Sequence, residues 1–250
     1  MISFTKDGNV GAIALSRASV NAMNAAFITA LNAALDAAEA AKPTVLVIKS
    51  DQKCFCAGAD LGLIAGFFEE DNGTEGMVTY VKTLHDVFNR IERFPAVTLA
   101  VINGPALGGG LEMALACDLR IASTRAKIGL PEAQVGMIPG AGGTQRLPRL
   151  VGPGVTARLI LSGDVIDGSE AERIGIAQWV AEPDALDALV DATANRIAGL
   201  SLQALMASKD CIAGYYDPKI DGFALELEKP LELIPTEEAR ERVLGFFKRK

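Results

Sequence analysis

The chain has 250 residues, half of them apolar and 22% charged, which is ordinary globular composition and excludes a largely disordered protein. Its 31 acidic against 24 basic side chains give a net charge of −7, which disfavours a nucleic-acid partner, because counterion release needs clustered Lys and Arg. The 25 glycines exceed the average of about 7%, and where they fall is the first informative question.

In chain order, residues 2–6 and 10–15 predict a hairpin around Asp7-Gly8-Asn9. Residues 24–41 are rich in Ala and Leu and predict a helix that ends near Lys42-Pro43. Residues 44–49, Thr-Val-Leu-Val-Ile-Lys, predict a strand buried on both faces. Residues 72–76 read as a mobile loop, and Phe67-Phe68 as core or pocket wall. Residues 77–94 carry a helical stripe at Val78, Val81, Leu84, Phe88 and Ile91. Further strands are expected at 97–102 and 118–122, with a short buried helix over 111–117 between them. After residue 155 the character changes to helices, clearest at 185–198, 202–213 and 236–247, with β material only at 177–180. One domain with a helical appendage suits this length.

No stretch is long and apolar enough for a membrane span, and the first residues reach a charge too soon for a signal peptide. The expected setting is the cytoplasm. Four cysteines (Cys54, Cys56, Cys117, Cys211) lie in apolar surroundings, and neither a disulfide nor a metal site follows from them. The single histidine, His85, lacks the partners of a hydrolytic triad and reads as a boundary residue. Gly152-Pro153-Gly154 follows no buried strand, so a dinucleotide site is rejected, and no P-loop sequence occurs.

The glycines cluster in three loops: Cys56-Ala57-Gly58-Ala59-Asp60, Gly104 to Gly110, and Pro139-Gly140-Ala141-Gly142-Gly143. Glycine at a helix start leaves backbone N–H groups uncovered beside the positive end of the helix dipole, where an oxyanion would be stabilised. Glu112 sits in the first turn of an apolar helix, and Glu132 is a second acid among apolar neighbours. Each alone has an ordinary explanation, as a dipole partner or a helix start. Together, flanked by glycine loops, they suit acid–base chemistry with raised pKa values.

These residues resemble the enoyl-CoA hydratase/isomerase (crotonase) superfamily. The matching runs are Phe55-Cys56-Ala57-Gly58-Ala59-Asp60-Leu61, then Asn103-Gly104-Pro105-Ala106-Leu107-Gly108-Gly109-Gly110-Leu111-Glu112, then Leu130-Pro131-Glu132 and Gly136 through Leu147. Thr236-Glu237-Glu238-Ala239-Arg240-Glu241 is a weaker fourth. The resemblance implies an α/β fold, a crotonase-like spiral of ββα units over residues 1–190, and a C-terminal helical trimerisation region over 191–250. It implies an acyl-CoA substrate, a homotrimer or dimer of trimers, and no metal or redox cofactor, the CoA being part of the substrate.

The same resemblance puts the oxyanion hole on the N–H groups of Ala59 and Gly109 and the catalytic pair on Glu112 and Glu132. Substrate contacts map onto Val20, Ala57, Ala59, Asp60, Leu61, Leu107, Gly109, Pro131 and Gly140. Family members with other reactions commonly lack one glutamate, so the intact pair points to a hydratase of fatty-acid or related acyl-CoA breakdown. A Δ3,Δ2-enoyl-CoA isomerase and a non-catalytic or RNA-binding homologue are the alternatives. Two departures stand out: Gly62 replaces a basic residue that often contacts CoA, and Ser19-Val20-Asn21-Ala22-Met23 varies the usual N-terminal motif. The basic end, Phe246-Phe247-Lys248-Arg249-Lys250, resembles one that reaches a neighbouring subunit's CoA, or is simply a solvated terminus.

Overall fold

In the computed structural model, which describes residues 2–248, the expected hairpin forms: β1 (Ile2–Asp7) runs antiparallel to β2 (Val10–Leu15), with Phe4 opposite Ile13. Helix α1 (Ala25–Ala41) starts where the Asn24 side chain accepts the Phe27 N–H, and stops at Lys42 in the left-handed region just before Pro43. Strand β3 (Val45–Ser50) lies parallel to β2, its first four residues buried. Helix α2 (Leu61–Glu69) is capped by Asp60, and α3 (Gly73–Glu92) follows after a three-residue corner.

That corner corrects the reading of 72–76 as a mobile loop. The Gly73 N–H bonds the Glu70 carbonyl and the Gly76 N–H bonds the Asn72 carbonyl, so α3 starts four residues earlier than its apolar stripe. Val78, placed in that stripe by spacing, is instead exposed; Tyr80 and Val87 take buried places with Leu84, Phe88 and Ile91.

Beyond α3 the chain repeats one pattern: a long strand, a two-residue strand, then a helix. The first such turn is β4 (Val97–Ile102), β5 (Ala106–Leu107) and α4 (Gly109–Leu115). The second is β6 (Leu119–Ser123), β7 (Ile128–Gly129) and a 3-10 helix (Glu132–Val135), leading into α5 (Gly143–Ser162), which kinks at Gly152. Then come β8 (Val165–Ile166), α6 (Gly168–Arg173), β9 (Trp179–Ala181), α7 (Leu186–Ala198), α8 (Leu202–Gly214), α9 (Gly222–Leu233) and α10 (Glu237–Lys248).

The long strands form one sheet in the order β1-β2-β3-β4-β6-β9, parallel except for the hairpin. The short strands form a second, β5-β7-β8, which the isolated bridge Cys56–Ala106 extends toward the first glycine loop. Alternation along the long strands serves two cores. Leu46, Ile48, Ala100 and Ile102 point to the core under α1, α3 and α4. Val45, Val47, Val97, Leu99 and Val101 point to the other, where α7 packs through Leu186, Val190, Ala194 and Ile197. Helix α7 therefore straddles the expected division after residue 190 and belongs with the sheet.

Helices α9 and α10 bury no residue, and Phe223 on α9 is 84% exposed. Of the basic end, Arg249 and Lys250 lie outside the described residues.

Phe88 is fully buried between α3 and the main core. Phe88→Ala is expected to cost about 3–5 kcal/mol in urea unfolding. Val78→Ala on the exposed side of the same helix should stay within about 0.5 kcal/mol of the parent.

Candidate active site

The loops after β3 and β4 and the loop between the 3-10 helix and α5 carry the three glycine clusters to one place. The Met23 N–H bonds the Gly58 carbonyl and the Asp60 N–H bonds the Met23 carbonyl, so the first loop is strapped to the segment before α1. The Leu107 N–H bonds the Cys56 carbonyl, and the Gly108 N–H bonds the Gly129 carbonyl, which ties the second loop to the small sheet on both sides. Gly58 has φ +92°, and a Cβ there would lie 2.8 Å from the Leu107 carbonyl oxygen. Gly108 has φ +52°, and a Cβ there would lie 2.8 Å from Glu132 Oε1. Both positions need the left-handed backbone and the close approach that only glycine permits.

The consequence is a pair of backbone donors. Neither the Ala59 nor the Gly109 N–H meets a backbone carbonyl among the described residues. Gly109 opens α4, and the place a Cβ on it would take lies 3.7 Å from the Ala59 nitrogen, so the two N–H groups flank one small volume. Such donors stabilise negative charge developing on an oxygen placed between them.

Glu112 projects from the first turn of α4 and is 2% exposed. Its Oε1 accepts the Ala141 N–H at 2.8 Å and the Gly143 N–H at 2.7 Å, so the third glycine loop grips one carboxyl oxygen. Burial pushes the Glu112 carboxyl up to about 7; the Gly143 N–H pulls it down, the charge of Glu132 pushes it further up, and the Ala141 N–H and Arg146 pull it down. Glu132, at the start of the 3-10 helix, is also raised by burial, and its buried Oε2 has no hydrogen-bond partner among the described residues.

Both carboxyls and both N–H groups line one cavity of about 240 Å³. Its walls are otherwise largely apolar, with Ile64 from α2 and Met77, Val81 and Leu84 from α3. Ala57, Leu61, Leu107, Pro131 and Gly140 line it as well. Val20 and Asp60 do not; both act just outside. The Val20 carbonyl accepts the Ala57 N–H at 2.9 Å. Asp60 pairs with Arg17 at 3.0 Å and accepts the Gly62 N–H, so the residue that replaces the usual basic one lies in the first turn of α2.

Sequence reasoning missed Tyr80, whose hydroxyl bonds the Met23 carbonyl at 2.9 Å on the cavity wall, and Arg146, which sits behind the third loop. Only the apolar stripe of α3 and the Gln145-Arg146-Leu147 end of the third motif pointed near them. His85 is half-buried and does not line this cavity. Cys54, Cys56 and Cys117 are buried free thiols, and burial pushes Cys56 up to about 12.

Two backbone donors facing two proton-hungry carboxyls across an apolar cavity are the equipment of an enzyme that polarises a carbonyl and moves protons beside it. The chain belongs to the enoyl-CoA hydratase/isomerase family, whose model matches residues 5–250. The short-chain-enoyl-CoA hydratase of Clostridium acetobutylicum is 34% identical over 249 residues, 98% of this chain and 94% of its own. Human mitochondrial methylglutaconyl-CoA hydratase is 36% identical over 236 residues, 90% of this chain and 67% of that protein. The crystal structure of an enoyl-CoA hydratase from Bacillus anthracis matches with a TM-score of 0.92 at 33% identity, covering 100% of this chain and 96% of that one. The crotonase-like spiral expected from the motifs is thus the fold.

The folded-state pKa of about 7 lies above the ordinary 4.5, so folding takes up a proton between those values and the ionised carboxyl opposes folding above them. Glu112→Gln keeps an acceptor for both N–H groups and loses the charge. Its Tm should exceed that of the parent at pH 8, by an amount on the order of 3 kcal/mol in stability, with the gap closing toward pH 5.

Proposed function

We propose that the chain is an enoyl-CoA hydratase, adding water syn across the double bond of a 2-trans-enoyl-CoA to give a 3-hydroxyacyl-CoA. The observation that carries this reading is the presence of both carboxyls, Glu112 and Glu132, on the one cavity that also holds the Ala59 and Gly109 N–H groups. Isomerisation would need chiefly Glu132 and would leave Glu112 without a task.

In this mechanism the thioester oxygen lies between the Ala59 and Gly109 N–H groups, which draw electron density from the double bond and leave Cβ electrophilic. The loop N–H groups occupy Glu112 Oε1, which leaves Oε2 to hold and deprotonate the attacking water. Glu132, whose Oε2 has no donor facing it among the described residues, carries the proton that goes to Cα. Two carboxyls so close do not both ionise readily. Burial raises both carboxyls, and at Glu112 the Ala141 and Gly143 N–H groups and Arg146 offset part of that rise, which lets it ionise and so take the water's proton. Metal and redox cofactors have no step to perform here, and the CoA travels with the substrate.

Ala57, Leu61, Leu107, Pro131 and Gly140 would line the path of the acyl and pantetheine portions, with Val20 and Asp60 supporting that path from behind. A homotrimer or dimer of trimers would cover α9 and α10, whose apolar side chains include Phe223, Leu227 and Leu231. Free thiols fit a cytoplasmic setting. No helix among the described residues is long and apolar enough to cross a membrane.

Purified protein should bleach the conjugated enoyl-thioester absorbance of crotonyl-CoA, and Glu112→Gln and Glu132→Gln should each lower kcat by about 10²–10⁴-fold. Unchanged turnover in either variant would sink the two-glutamate mechanism. Chromatographic analysis with a 3-enoyl-CoA should show little 2-enoyl product; rapid double-bond migration would make the enzyme an isomerase. Light scattering should give three or six times the chain mass, and a monomer would remove the proposed role of α9 and α10.

A further inference from the structure

Among the described residues Arg146 is the cation whose charge acts on Glu112, and it lies outside the cavity lining. It lies in the first turn of α5 and is buried, yet every arm of its guanidinium is engaged. Nε and Nη2 both reach Glu92 Oε2, at 3.1 and 2.7 Å, and Nη2 also donates to Asn89 Oδ1 at 2.7 Å. Glu92 and Asn89 share the last turn of α3, the helix whose other face walls the cavity. The remaining arm, Nη1, donates to the Ala141 carbonyl at 3.1 Å. The N–H of that same Ala141 holds Glu112 Oε1. The relay thus runs from α3 through Arg146 and the two peptide groups that flank the Ala141 Cα to the carboxyl, each contact within hydrogen-bonding distance.

We propose that Arg146 is a positioning residue: clamped to Glu92 and Asn89, its guanidinium fixes the Ala141 carbonyl and so aims the N–H groups that orient the Glu112 carboxylate toward the water. The inference rests on the hydratase reading for what Glu112 does, though not for how it is held. A planar fork with donors in three directions suits this task, whereas a lysine offers a point charge on a flexible stem. The clamp is electrostatic as well as geometric. The groups facing Glu112 are Glu132 from the 3-10 helix, Tyr80 from α3 and Arg146 from α5; of these only Arg146 favours the ionised carboxyl. Behind the clamp opens a cleft of about 840 Å³, lined by Glu92, Asn89 and Arg146 together with His85 and Arg149, through which a small cation could approach the guanidinium.

Arg146→Lys and Arg146→Ala should lower kcat on crotonyl-CoA on the order of 10- to 100-fold while KM stays within about twofold, because the N–H pair loses its aim and the thioester site is untouched. Arg146→Ala removes the positive charge that favours ionised Glu112, so the acid limb of its kcat profile moves to higher pH, whereas Arg146→Lys keeps the charge, loses the fork and lowers kcat with the limb nearly in place. Glu92→Gln loosens the clamp but removes a negative charge, so it should lower kcat less and not move the limb to higher pH, and guanidinium at concentrations too low to denature should restore Arg146→Ala where ammonium does not. Isotope-edited infrared titration of Glu112, identified by difference from Glu112→Gln, reads the same shift whether or not crotonyl-CoA turns over. It therefore separates failure of the clamp from failure of the hydratase reading. A folded Arg146→Ala with an unmoved Glu112 titration overturns the proposal. If Arg146→Ala fails to fold, an undiminished kcat in Glu92→Gln combined with Asn89→Ala overturns it instead.

Discussion

A carboxyl group buried to the last few per cent must be either protonated or supplied with donors, because water no longer stabilises its charge. Glu112 meets that constraint through two backbone N–H groups from a single glycine loop, and much of the surrounding structure exists to present them. The loop between Pro139 and Gly143 is closed from behind by α5, α5 is anchored through Arg146 to the last turn of α3, and α3 walls the cavity into which the carboxyl points. The group is left near its tipping point, with a pKa pushed up to about 7, where a proton can be taken or released at little cost.

The Ala59 and Gly109 N–H groups pose the complementary problem. An N–H pair free of carbonyl partners is destabilising for a loop on its own, so the loops that carry Ala59 and Gly109 are secured everywhere else. The small sheet, the Cys56–Ala106 bridge and the strap from Met23 bind the flanking peptides and leave the Ala59 and Gly109 N–H groups without a backbone carbonyl among the described residues. Gly58 and Gly108 make this possible by letting the two loops pass within van der Waals distance of each other and of Glu132. Rigidity is what makes the donors useful, since they need not reorganise as charge develops.

The two ends of the chain follow different rules. Strands β3, β4 and β6 bury most of both faces, one against the main core and one against α7, while β2 buries one face fully and the other in part. Helices α9 and α10 present apolar side chains, among them Phe223, Leu227, Leu231, Val243 and Phe246, that no described residue buries. Lys209 on α8 holds the boundary between these regions, donating to Asp118 and to the Phe94 and Ala96 carbonyls.

Much was readable in advance where the signal is local. Residues 44–49 and 97–102 are β-branched runs with few other options, α1 announces itself by composition and by the Asn24 cap, and three glycine motifs in order identify the family's architecture and its two glutamates. The two-residue strands β5, β7 and β8 were not readable, because a period needs more residues than they have. Nor was the α2–α3 corner, where glycines that spell a loop in isolation instead allow a tight turn into a helix. Val78 fits a helical stripe by spacing, yet which side of α3 faces the core is settled by what packs there.

The sequence by itself determined the strands, the glycine loops and the presence of two acids among apolar neighbours, since backbone freedom and hydrophobic patterning act over a few residues. It is the folding in space that makes Ala141 and Gly143 hold Glu112, leaves Glu132 Oε2 without a donor among the described residues, and makes Arg146 couple α3 to the third glycine loop. Those relations join residues tens of positions apart through hydrogen bonds of fixed length, and distance in space is not written in the order of the chain.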